Sequence, residues 1–188
     1  MAWGKNGTPS TLGGTADIVE VTDLSGSKFN QFMYHGIFSG TGTVQHEVRF
    51  DGLSTSIYAA RFTEDGLSDV TQVNQGGLNA SPSGPAVSED AFMIGHVCAI
   101  SGEEKLFMGW ISFSTASGAG STPSRAELTG KSTNTTTLDQ LSIVNTTAGS
   151  DMASTTNLSV LGSDITPAAA VPFAENAQAG SRAEITDT

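Results

Sequence analysis

Apolar and polar residues alternate along most of this chain in short runs, separated by small turn-forming residues. The clearest runs are residues 29–34, 48–50, 56–62, 91–97 and 105–111. Because successive side chains of a β-strand point to opposite faces, alternation with a period of two predicts strands with one buried face. No stretch of similar length repeats apolar residues at the three- and four-residue spacing of a helix. The sequence therefore predicts an all-β fold.

Turn signals divide these runs into antiparallel neighbours. Asp51-Gly52 and Asp65-Gly66 are dipeptides that favour turns with positive φ, and residues 101–104 join two long apolar runs into a hairpin. Longer loops are expected at residues 36–43 and 75–90. Further strands are predicted within residues 16–24, 125–128, 138–144 and 158–162. About nine or ten strands favour an antiparallel β-sandwich with a jelly-roll-like arrangement, and a partly open barrel has the same local signals.

Changes in amino-acid composition along the chain predict three parts. Residues 1–16 are rich in Gly, Thr and Ser and are expected to form a flexible N-terminal arm, whereas residues 17–163 form the sandwich domain. Residues 164–188 contain two prolines and are expected to be an extended C-terminal arm. Trp3 and Phe173 are candidate anchors by which these arms bind a partner, although Trp3 could equally fold back on its own sheet.

Composition and charge exclude several functions. The 188 residues are 37% hydrophobic and only 14% charged, with a net charge of −11 and a pI near 4.4. Such an acidic chain repels phosphates and anionic lipids, so neither nucleic acid nor membrane is an expected partner. The first residues lack an apolar segment, so we expect no signal peptide and synthesis and assembly in a cytoplasm. The single cysteine, Cys98, lies in an apolar run and is interpreted as a buried core residue.

The sequence offers no catalytic or metal-binding pattern. His35, His46 and His96 lie on different predicted strands without the spacing of metal ligands, and no nucleophile motif follows a strand. The acidic pairs Glu89-Asp90 and Glu103-Glu104 are typical of solubilising turns. Aspartates near turns leave calcium as a weaker possibility, without a recognisable loop: Asp51, Asp65, Asp69, Asp151 and Asp164. We therefore expect neither an enzyme nor a cofactor.

Aromatic residues allow one binding hypothesis. Antiparallel sandwiches can bind sugars through aromatic side chains, and Trp110, Tyr34 and Tyr58 are the candidates. All three lie within predicted strands, so packing in the core is the competing interpretation of Trp110. The alternative function is therefore a glycan-binding module for receptor recognition.

The order of strands resembles that of virion-associated β-sandwich proteins of marine tailed bacteriophages. The resembling stretches are residues 48–52 leading to 56–61, then 101–107, 138–145 and 157–162, with a tail at 175–188 similar to a segment near the C-termini of such proteins. The resemblance implies a phage structural protein located in the virion, on the particle exterior, as a capsid decoration or a head or tail appendage. It implies no catalytic residues, it implies assembly in the host cytoplasm, and it would place the alternative glycan-binding module on a tail or head fibre. The expected partners are other virion proteins and further copies of the chain, which we expect to form a homo-oligomer such as a trimer.

Overall fold

The predicted all-β class is confirmed. The computed structural model describes residues 3–40, 42–80, 89–114 and 116–163, and these residues form strands and no helix. Within this described part the strands are β1 (Gly4–Lys5), β2 (Ser10–Thr11), β3 (Ile18–Val21), β4 (Phe29–Gly40), β5 (His46–Phe50), β6 (Tyr58–Glu64), β7 (Val70–Gln75), β8 (Leu78–Asn79), β9 (Asp90–Cys98), β10 (Lys105–Phe113), β11 (Ser124–Ser132), β12 (Leu141–Asn145), β13 (Ser150–Met152) and β14 (Asn157–Ser163).

Two antiparallel sheets pack against each other as a β-sandwich. The larger sheet has the order β1-β14-β4-β9-β10-β11-β6-β7, and β13 and β2 pair with β4 and β14 respectively. The smaller sheet has the order β3-β12-β5-β8. The sandwich is thus established, whereas the jelly-roll arrangement of the strands stays a prediction.

The core lies between the two sheets and is rich in aromatic rings. Phe50 of the smaller sheet and Phe107 of the larger one have ring centroids 6.5 Å apart. Tyr34 and His46 also meet across the sheets, with the hydroxyl oxygen 3.0 Å from Nε2. Since all four side chains are at least 96% buried, these contacts fix how one sheet lies on the other.

Two glycines make room for this core. Gly95 of β9 lies opposite Gly109 of β10, beneath the stacked rings of Phe32 and Phe107, whose centroids are 5.9 Å apart. A Cβ atom on Gly95 would lie 2.3 Å from the Phe32 ring and 2.7 Å from the Phe107 ring. Both glycines are therefore required by close packing rather than by an unusual backbone conformation.

The predicted N-terminal arm requires correction over its described part. Gly4 and Lys5 pair with β14, as do Ser10 and Thr11, so this segment forms one edge of the larger sheet. Asn6 explains the docking, because its buried side-chain amide donates to Oδ1 of Asn30 at 2.8 Å. Residues 164–188, the predicted C-terminal arm, lie outside the described residues.

Some loops and strands also differ from expectation. β4 continues through residues 36–40, which were predicted as loop, and β8 lies within the predicted loop at 75–90. The strands β7 and β13 were not predicted at all. The two Asp-Gly turns are confirmed, since φ is positive at both residues of each: 55° and 65° in the first, 50° and 76° in the second.

Candidate functional site

The outer face of the larger sheet is the candidate site, because its central strands present apolar side chains to solvent. β10 directs Leu106, Met108 and Trp110 outward, while Phe107 and Ile111 point into the core. Strand register aligns these residues with those of the neighbouring strands. Trp110 lies opposite Ile94 of β9, which lies opposite Met33 of β4.

Five outward side chains on β4, β9 and β10 form a surface that we name the apolar strip. They are large, apolar and between 38% and 57% exposed: Met33, Phe92, Leu106, Met108 and Trp110. In segment 89–114, no charged residue occupies an outward position from Phe92 to Cys98 or from Leu106 to Ser112. The chain carries 19 acidic and eight basic residues, and none of them lies at these outward positions. A contiguous exposed apolar patch of this kind marks an interaction surface.

A shallow groove of about 290 Å³ lies at one end of the strip, and we name it the Trp3 groove. Trp3, Phe29, Cys98, Leu106 and Met108 contribute to its lining. Trp3 is 44% exposed, so its indole covers part of the sheet and offers the remainder to solvent. The groove extends the apolar surface from β10 towards β4.

A second groove of about 330 Å³, the Trp110 groove, crosses the outer face on the other side of β10. Trp110 forms one wall and Arg61 of β6 lines the opposite side, with Glu127 and Thr129 of β11 between them. Nη1 of Arg61 lies 3.6 Å from Oδ2 of Asp69, which also lines the groove. This groove therefore combines an aromatic surface with hydrogen-bond donors and acceptors.

The structure assigns the predicted aromatic candidates to different environments. Trp110 is 45% exposed, so the interpretation as a core residue is wrong, whereas Tyr34 and Tyr58 are buried and cannot touch a ligand on the surface. Trp3 lies beside the strip. Phe173 lies outside the described residues. Cys98 was expected in the core, but it is partly exposed and lines the Trp3 groove, because its position in β9 places it on the outer face.

The histidines do not converge on a common site. His46 is fully buried beside Tyr34, and burial lowers its pKa to about 3, so its imidazole is neutral. Nε2 of His35 lies 3.7 Å from Asp90, and His96 contacts the edge of Trp110, with ring centroids 6.3 Å apart. Across the described residues, no group of three or more His, Cys, Asp or Glu side chains could hold a metal ion.

Of the strip residues only Trp110 was singled out from the sequence, although β10 carries a signal for two of the others. In β10 both the outward and the inward positions carry apolar residues, since Leu106, Met108 and Trp110 alternate with Phe107 and Ile111. A strand with only one buried face would show polar residues at every second position. Apolar residues at both sets of positions therefore indicated a strand covered on both faces, either within the fold or by a partner.

Comparisons with protein families, with curated proteins and with solved structures found no match for this chain. No helix in the described residues is long and apolar enough to cross a membrane. The chemistry of the outer face is therefore the feature from which a function can be inferred.

Proposed function

We propose that this chain is a structural protein on the exterior of a phage particle, as a capsid decoration or a head or tail appendage. The observation that carries the packing role is the apolar strip, an uncharged and exposed surface on an otherwise acidic chain. Its natural use is to pack against protein. The proposal gives the chain no catalytic role.

The energetics of the strip suit a repeated assembly. Burying a large apolar side chain contributes about 1.5–3 kcal/mol, so covering five half-exposed ones contributes about 4–8 kcal/mol. Association costs about 4–15 kcal/mol in lost translational and rotational freedom. Because these figures are comparable, a contact that buries one strip alone is marginal in isolation, and it becomes stable where a second apolar face is buried with it or where several contacts act together, as on a particle surface.

The virion location is supported by the resemblance in strand order and by the charge. A net charge of −11 keeps exposed copies soluble and repels the phosphates of a packaged genome, which suits a position outside the shell. A two-sheet sandwich held by interlocking aromatic rings is also rigid enough to serve as a building block.

Immunogold labelling of purified phage particles with an antibody to this chain tests the proposal. Label on the particles is expected, and its position on head or tail separates decoration from an appendage. Unlabelled particles, in a preparation where mass spectrometry also fails to detect the chain, would overturn the virion assignment.

The Trp110 groove favours a second candidate, a glycan-binding module for receptor recognition. A sugar ring could stack on the indole of Trp110, while Arg61, Asp69 and Glu127 supply hydrogen-bond donors and acceptors for its hydroxyls. One positive and two negative charges line the groove, so the expected ligands are neutral rather than anionic glycans.

A glycan array separates the two candidates. Binding of a neutral glycan that is lost in Trp110→Ala and retained in Trp3→Ala would favour the module, provided that both variants keep the far-ultraviolet circular dichroism of the parent chain. Absence of binding to the array by the parent chain would remove this candidate.

A further inference from the structure

We infer that the partner covering the apolar strip is a second copy of this chain. The inference rests on the proposed function, in which the strip is a packing surface, and it names the occupant of that surface. Two copies would meet through the outer faces of their larger sheets, related by a two-fold axis, so that the same residues contribute from each side.

Charge is the first argument for a second copy. At a net charge of −11, two copies repel each other wherever their acidic surfaces meet. The strip lacks this repulsion, and the outward charges of the adjoining strand β11, Arg125, Glu127 and Lys131, sum to +1. The uncharged face is therefore the place where this chain can approach its own copy.

The same charges disfavour other occupants. A nucleic acid would require a basic face, and a strongly basic protein would gain most from acidic residues at the contact. The strip supplies neither, because its outward positions on β9 and β10 between Phe92 and Cys98 and between Leu106 and Ser112 are uncharged. An uncharged apolar face is complementary to itself.

The size of the face is the second argument. It spans the five neighbouring strands β14, β4, β9, β10 and β11, of which the last three have nine residues each. At the usual strand spacing and rise, this is about 24 Å by about 31 Å, or about 740 Å². A standard stable interface buries about 800 Å² on each partner. The face therefore has the area that a specific dimer needs.

The geometry of sheets allows this contact. Two sheet faces pack about 10 Å apart with side chains interdigitating, as the inner faces of a sandwich do. Met108 lies near the middle of the face, between Leu106 and Trp110 on its strand and opposite His96 on β9. A charge placed at Met108 would thus be buried in the dimer and exposed in the monomer.

Analytical ultracentrifugation of the full chain tests the inference. We expect the parent chain to form dimers and Met108→Glu to raise the dimer dissociation constant by roughly 100-fold, since it buries an unpaired charge in each copy. Leu67→Glu is the matched control, because Leu67 is 72% exposed in the connection between β6 and β7, outside the strip, and the dissociation constant of this variant should stay close to that of the parent. Leu106→Glu provides a second variant, and circular dichroism with thermal unfolding checks that each remains folded.

A parent chain that stays monomeric at high concentration, a trimer, or a dimer that Met108→Glu and Leu106→Glu leave intact would each overturn the two-fold pairing. Particle labelling separates this outcome from failure of the proposed function. A monomer that still labels particles removes the second copy as occupant and leaves the virion role standing. A dimer that is absent from particles supports the second copy as the occupant and overturns the virion role.

Discussion

Nζ of Lys105 lies 3.3 Å from Oδ2 of Asp51, and the Lys105 side chain is completely buried. The same ammonium donates to the backbone carbonyls of Asn134, at 3.0 Å, and Thr136, at 2.7 Å. Asp51 in turn accepts hydrogen bonds from Nδ2 of Asn134, at 2.7 Å, and from the backbone amide of Asp139, at 2.8 Å. One ion pair thus joins the start of β10, the turn between β5 and β6, and the segment before β12.

Lys105→Met should lower the free energy of unfolding by about 3–5 kcal/mol, because it leaves the largely buried Asp51 carboxylate without its cation. Urea unfolding measures the change. Lys131→Met is the matched control, since it breaks an ion pair of 2.7 Å to Glu104 whose side chains are 45% and 44% exposed. That change should cost less than about 1 kcal/mol. Equal losses in the two variants would contradict a special role for Lys105.

Stability should decrease at acidic pH because of His46. Burial lowers the pKa of His46 to about 3 from its ordinary 6.5, so below pH 6.5 the unfolded chain binds a proton that the folded chain does not. His46 therefore does not lower the free energy of unfolding above pH 6.5. Between pH 6.5 and pH 3 it lowers that free energy by up to about 1.4 kcal/mol per pH unit. Urea unfolding between pH 7 and pH 4 measures this slope. His46→Gln should flatten it, and an unchanged slope would assign the loss to other groups.

Gly95→Ala should destabilise the sandwich by about 1–3 kcal/mol or more, because the new methyl group would overlap the rings of Phe32 and Phe107. Thermal unfolding reports the loss. Gly13→Ala is the control, since a Cβ atom at Gly13 would have no neighbour within 4 Å and no positive φ is needed there. Its melting temperature should stay near that of the parent or rise slightly.

Asp65→Ala should cost about 1–2 kcal/mol, since it places a residue less tolerant of positive φ at 50° and removes a hydrogen bond. Oδ1 of Asp65 accepts this bond from the backbone amide of Arg125 at 2.9 Å. Asp65→Asn should retain most of the stability. Asp69→Ala, which breaks only an exposed ion pair with Arg61, should change stability by less than about 0.5 kcal/mol in the same urea titration.

The sequence predicted the strands and turns that local chemistry determines. Two long apolar runs joined by the turn at residues 101–104 located β9 and β10 to within a residue or two, and Asp51-Gly52 and Asp65-Gly66 identified turns with positive φ. β7 escaped notice because it lies at the edge of the larger sheet and most of its residues are exposed, which leaves no apolar alternation. Edge strands of this kind are specified by their one neighbour rather than by their own pattern.

The candidate site was harder to predict because it depends on which face of each strand is covered. Trp110 and Ile111 are adjacent apolar residues in β10, and only the order of strands in the sheet directs one to solvent and the other to the core. The docked N-terminal segment had the same difficulty. Asn6 bonds to Ser25 and Asn30, which lie 19 and 24 residues away along the chain. Such distant partners cannot be read from the composition of residues 1–16, which by itself indicated an arm.

The position of β14 beside β4 sets a time constraint on biosynthesis. From Gly40, the last residue of β4, to Asn157, the first of β14, the chain advances 117 residues. At about 5–20 residues per second, a ribosome needs about 6–23 s to cover that distance. During this interval the part of β4 from Phe29 to His35 has its β9 neighbour on one side at most, and its other edge lacks the backbone hydrogen bonds that β14 later supplies. The nascent chain therefore leaves this edge of β4 open to pairing with a foreign strand until β14 emerges.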